Sequence, residues 1–153
     1  MDEAQQKLRR SDKENDVGEV RTEITLVNVR EAGYAQGGFI PESQVKRLTV
    51  NAVVDTGAWT LVINEETRQK LGLLAEETSE ATVAGGAVVP CRITEPVGIR
   101  WKNRHTVCEA AVIPDEADVL LGAFPLQGMD LMVHPKKQEV VGAHGPDVRY
   151  VIK

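Results

Sequence analysis

The sequence predicts a mostly-β domain, a barrel or sandwich with two short helices, and three observations carry the prediction. Short runs rich in Val, Ile and Thr recur at close spacing along most of the chain, bounded by Gly, Pro, Asn or Asp. Helix signals are confined to two brief stretches, one after Ile63 and one at Pro125. One ionisable residue, Asp55, stands in a tight, Gly-containing turn between two apolar, β-branched runs that read as buried strands.

Composition limits what such a domain does. With 153 residues, 42% of them hydrophobic, the chain is long enough for one compact core. Residues 1–18 are polar and of mixed charge and read as a flexible N-terminal arm, leaving 19–153 as the domain. No apolar run approaches transmembrane length and the first residues lack signal-peptide character, which places the expected setting in the cytoplasm. Reduced thiols at Cys91 and Cys108 go with that setting. A net charge of -5 and 4% aromatic residues argue against nucleic acid or an anionic membrane as partner. His105, His134 and His144 show no metal-ligand spacing with the two cysteines, so no metal and no other cofactor is expected.

In chain order, Glu19 to Val29 reads as the first strand, followed by a Gly-rich connection from Gly33 to Gly38. Val45 to Val54 reads as the second strand. Leu48, Val50, Ala52 and Val54 share one face, and Arg47, Thr49 and Asn51 share the other. That alternation delivers Asp55 at the strand end. From Asn64 to Gly72 the signals are helical: Asn64 as N-cap, Glu65 and Glu66 in the first turn, Lys70 in the last, Gly72 as the stop. Thr78 to Ile93 reads as a hairpin with a Gly85-Gly86 tip suited to positive φ, and Pro90 argues against a central place in a sheet. A second hairpin joins Pro96–Trp101 to His105–Ile113 across Lys102-Asn103-Arg104. Leu120-Leu121 leads to Gly122, and Pro125 opens a short helix through Met129. Asp130–His134 and Gln138–Gly142 form a last hairpin, and Asp147 to Ile152 suits one more strand.

Asp55-Thr56-Gly57-Ala58 resembles the catalytic loop of retropepsin-like aspartic proteases (clan AA), the half-length kind, with bacterial single-domain members nearest in pattern. The plain alternative is an ordinary Asp-Gly turn. Val119-Leu120-Leu121-Gly122 followed by Phe124 to Leu131 matches the second half of the family pattern in order and type, so the likeness spans about residues 20–142. It implies an all-β, retropepsin-like closed barrel with a flap hairpin and one or two short helices.

The resemblance also implies roles. Peptide hydrolysis of this kind uses two carboxylates sharing one proton, one activating a water and the other protonating the carbonyl oxygen. One Asp-Thr-Gly per chain therefore implies a homodimer in which each chain contributes Asp55. Thr56 and Gly57 complete the catalytic loop, and Leu121 and Gly122 support it from beneath. Ala58, Thr60, Ala84, Gly85 and Gly86 are the expected substrate-binding positions, with the Gly85-Gly86 hairpin closing over an extended peptide. Trp59, Val83, Val88 and Ile113 suit either apolar subsite walls or plain core. Ala58, unlike a Ser, cannot donate a hydrogen bond to an ionised Asp, so activity is expected in mildly acidic to near-neutral buffer. Two departures stand out: Trp59 and Thr60 replace acidic residues common just after the motif, and Ala123 replaces an Arg. They keep a second reading open, a non-catalytic dimerisation or peptide-binding module on the same fold.

Overall fold

The computed structural model describes residues 19–82, 85–114 and 117–148, with 77–79 given as backbone only. The expected arm at 1–18, Val83, Ala84 and most of the expected terminal strand lie outside the described residues.

Strand β1 (Val20–Asn28) runs antiparallel to β2 (Arg47–Val54) from Val20↔Val54 to Val27↔Arg47. The period-two alternation of β2 works as its sequence predicts. Ala52 is buried and Leu48, Val50 and Val54 are half-buried, whereas Arg47, Thr49 and Asn51 face solvent. Between them lies a helix where the sequence suggested only a Gly-rich connection: α1 spans Val29–Gln36. Asn28 caps it, its Oδ1 accepting the Glu31 N–H at 3.0 Å. The cap outweighs the helix-weakening effect of Gly33.

Strand β3 (Leu61–Asn64) leads into helix α2 (Glu65–Leu71), where the side chain of Asn64 accepts the Thr67 N–H at 2.8 Å. Gly72 ends α2 with φ +63°, the left-handed conformation expected of it. Strands β4 (Ala75–Thr82) and β5 (Val88–Thr94) form the expected hairpin, with Gly85 at φ +91° and Gly86 at φ +84°. Pro90 lies in the part of β5 beyond its pairing with the next neighbour, where a missing N–H costs no ladder bond on that side.

Strands β6 (Val97–Trp101) and β7 (Arg104–Cys108) pair across Lys102-Asn103. The sequence read 105–113 as one strand; it is two, because the chain leaves β6 at Glu109 and β8 (Ala110–Ile113) runs parallel to β3. Thr94 fixes that departure, its Oγ1 accepting the Ala110 N–H at 3.0 Å. The two-residue β9 (Leu120–Leu121) is followed by α3 (Ala123–Gly128), then by the hairpin of β10 (Leu131–His134) and β11 (Glu139–Gly142). With α1 the described residues hold three short α-helices, one more than expected, besides a single 3-10 turn at Glu42–Gln44.

The main sheet has nine strands in the order β4-β5-β8-β3-β9-β2-β1-β6-β7. The all-β class is as predicted, but no ladder joins β4 to β7 to close the sheet among the described residues. Leu26, Leu61, Ile63, Ile99 and Leu121 form the centre of the core, with Met129 covering it from the end of α3. Arg104 is buried at its edge. Its guanidinium donates to the carbonyls of Met129 (3.0 Å), Asp130 (2.6 Å) and Gly145 (2.6 Å), which fixes the entry to β10.

Candidate active site

Asp55 follows β2, and two neighbours hold its backbone. Val53 N–H donates to Val119 O at 2.9 Å and Asp55 N–H to Leu121 O at 3.0 Å, so β9 runs parallel alongside the end of β2. On its other side β9 pairs antiparallel with β3 at Val62↔Leu120. Leu120-Leu121 is thus wedged between the strand that enters the Asp55 loop and the strand that leaves it. Two residues suffice for a strand here because both edges are occupied.

The loop then closes on itself. Ala58 N–H donates to Asp55 O at 3.1 Å, and Gly57 N–H to the Asp55 carboxylate at 2.9 Å. That second bond fixes one carboxylate oxygen and leaves the half-buried side chain open to a further partner. Gly57 passes so near the carboxylate that an added Cβ would lie 3.1 Å from its Oδ1. The return limb is tied down in turn: Ala123 N–H donates to Ala58 O and Phe124 N–H to Trp59 O, both at 2.8 Å. Gly122 sits directly under this crossing. A Cβ there would collide with the carbonyl oxygens of Ala58 and Thr60, so no other residue fits without moving backbone.

Of the residues the sequence singled out, Asp55, Thr56, Gly57, Ala58, Leu121 and Gly122 come together in this one unit. Thr56 and Gly57 form its exposed tip, and Leu121 is fully buried beneath. Thr60, expected among the substrate contacts, is only 4% exposed, and its hydroxyl donates to Glu109 O at 2.7 Å. That position braces the loop against the β7–β8 junction. Gly85 and Gly86 stand apart at the tip of the β4–β5 hairpin. Trp59 and Val88 are exposed rather than core, and Ile113 is half-buried.

One feature was not legible in the sequence. The rings of Trp59 and Phe124 meet edge-on at 6.3 Å between centroids and 64° between planes. The residues are 65 positions apart, and only the pairing of the loop with α3 brings them together.

Burial pushes the thiols of Cys91 and Cys108 above their ordinary range, which disfavours their thiolate forms. Among the described residues no group of three His, Cys, Asp or Glu is placed to hold a metal ion, and no helix is long and apolar enough to cross a membrane.

Comparison with known proteins points the same way. A family model described as aspartyl protease matches residues 42–123, from the turn before β2 to the start of α3. Among solved structures, the EIAV protease complexed with the inhibitor HBY-793 superposes with a TM-score of 0.53 at 23% identity, covering 74% of this chain and 89% of that one. The retroviral protease-like domain of Ddi1 from Leishmania major gives a TM-score of 0.46 at 22% identity, covering 58% of this chain and 74% of that one. The first likeness establishes a shared retropepsin-like fold. Comparison with curated proteins returns no match.

Proposed function

The chain belongs to the aspartyl protease family, and from that premise we propose that it is an endopeptidase, active as a homodimer, that cleaves extended, partly apolar peptide segments. The observation that carries this reading is the Asp55 loop itself. A carboxylate stands at a strand end, one oxygen held by the Gly57 N–H, on backbone locked by β9 and Gly122. Such fixing suits a group that must meet a second charge of the same sign without swinging away.

Two Asp55 side chains brought together across a two-fold axis cannot both ionise freely, so they hold one proton between them. The ionised one takes a proton from a bound water as that water attacks the peptide carbonyl carbon. The protonated one donates to the carbonyl oxygen, and the resulting tetrahedral diol collapses as the amine leaves with a proton. Thr56 and Gly57, exposed at the loop tip, make the contact between subunits. The Gly85-Gly86 hairpin lies over the peptide as a flap, and backbone hydrogen bonds hold the substrate as an added strand. Ala84, Gly85 and Gly86 are its contacts in this scheme. The unbonded cysteines suit a cytoplasmic setting.

Wild type and Asp55→Asn, incubated with a mixed peptide library and read by mass spectrometry, test the proposal. Cleavage by wild type alone supports it. Binding by both without cleavage supports the non-catalytic module.

A further inference from the structure

Strand β9, which carries the backbone of Asp55, has only two residues, and its two ends are held by different means. Downstream, Gly122 and the N–H groups of Ala123 and Phe124 lock it to the Asp55 loop. Upstream, side chains from both neighbouring strands do the holding. At the end of β3, Asn64 Nδ2 donates to Ala117 O at 2.8 Å while its Oδ1 caps α2. At the start of β1, Arg21 reaches Asp118 across 97 positions of sequence, Nη1 to Oδ1 at 3.4 Å and Nη2 to Oδ2 at 3.0 Å. Its Nε donates to Glu19 at 3.1 Å, so the guanidinium is kept with its fork toward Asp118.

We propose that Arg21 and Asp118 are positioning residues: their ion pair holds the upstream end of β9 in register on β2 and so fixes where the Asp55 carboxylate stands. The inference rests on the peptide-cleaving reading above and adds to it two residues that act through β9. Three observations carry it. Asp118 directly precedes Val119, whose carbonyl accepts the Val53 N–H, and Leu121 O accepts the Asp55 N–H, so the pinned residue begins the segment that sets the loop. Apolar pattern does little to choose the register, because Val119, Leu120 and Leu121 are all apolar and a slip exchanges one for another. Asp118 is the one charged residue from Ala117 to Met129, and a two-point guanidinium contact holds it in place where a lysine would make a single one. Both side chains are partly exposed, 28% for Arg21 and 45% for Asp118, so the pair adds little to global stability and its effect is local. Catalysis is sensitive to such local effects, since misplacing a reacting group by about 1 Å can cost about a hundredfold in rate.

The test compares wild type with Arg21→Gln, Asp118→Asn, Arg21→Lys, the single exchanges Arg21→Asp and Asp118→Arg, and the double exchange that carries both. Sedimentation and urea unfolding of each are run alongside. Arg21→Gln and Asp118→Asn each lower kcat about tenfold, with KM, the dimer and the urea midpoint close to wild type. Arg21→Lys keeps part of the activity. Each single exchange loses it, and the double exchange recovers most of it. Hydrogen exchange of the Val53 and Asp55 amides, read without substrate, is at least about threefold faster in Arg21→Gln and returns toward wild type in the double exchange. An unchanged kcat in the two neutral variants overturns the inference, as does a double exchange no better than its worse single. A loss confined to KM overturns it by assigning the pair to a substrate contact, and loss of the dimer overturns it by assigning the pair to the subunit contact. If wild type cleaves no peptide, the amides decide alone. Faster exchange that the double exchange reverses leaves the clamp standing and refutes the catalytic reading, and unchanged exchange refutes both.

Discussion

Gly122 shows how little freedom the site allows a single residue. It lies where the Ala58–Trp59 limb crosses the start of α3, with carbonyl oxygens in the space a Cβ would occupy. Gly122→Ala is expected to destabilise the fold by about 3 kcal/mol or more, read from urea unfolding, and to abolish cleavage with it. Ala58→Ser is expected to do the opposite kind of thing. It leaves the fold intact and extends activity to lower pH, because a hydroxyl beside the ionised form favours it, and pH–rate profiles of the two proteins check this. At this scale the sequence was most legible where chemistry forces residue type. Asp55, Gly57 and Gly122 were readable because few residues serve in their places. Where the Thr60 side chain faces was not legible, because sequence adjacency to the motif does not say so, and here it is turned inward to Glu109.

The elements around the site depend on charged groups that clamp connections rather than line the core. Arg30 Nε donates to Glu95 Oε1 at 2.9 Å, Leu74 N–H to Glu95 Oε2 at 2.6 Å, and Arg30 also reaches Gly72 O at 3.2 Å. Together they tie α1 to the ends of α2 and β5. Burial by itself would raise the Glu95 carboxyl; the Arg30 hydrogen bond, the Leu74 N–H and the Arg30 charge outweigh it and hold the carboxyl below its ordinary range. The folded group thus binds its proton less tightly than the unfolded one. Its contribution to stability is complete above the ordinary carboxylate range and is lost as pH falls through the depressed folded value. Thermal melts taken downward from about pH 7 are expected to show wild type losing stability in acid, and Glu95→Gln to lose less over the same interval. Arg104 does similar work for β10. Arg104→Ala removes the side-chain donor to the carbonyls of Met129 and Gly145 and one of the donors to that of Asp130, which also accepts the Ala143 N–H, and is expected to cost about 3 to 5 kcal/mol in chemical denaturation. Helix α2 was readable because its caps, charges and stop all agree. Helix α1 was hidden by the glycines in it and just after it: Gly33, Gly37 and Gly38 signal a loop, and the Asn28 cap that decides the matter resembles any Asn at a strand end.

For the molecule as a whole, hydrophobic patterning and turn residues revealed an all-β class and most strand positions. They did not reveal how the strands are ordered. The placing of β9 between β2 and β3 joins segments more than 50 residues apart, and that pairing rather than any local propensity builds the site. The family match reaches from before β2 to the start of α3, across both halves of that pairing. The central claim concerns a second copy of the chain: that cleavage needs an Asp55 from each. The direct measurement adds Asp55→Asn chain to a fixed amount of wild type, at concentrations where the protein is dimeric and subunits exchange freely. If the two carboxylates act together, mixed dimers are dead, and activity falls to about one half at equal amounts of the two chains. Activity that stays constant as the variant is added, or wild type that cleaves nothing at all, would contradict the claim.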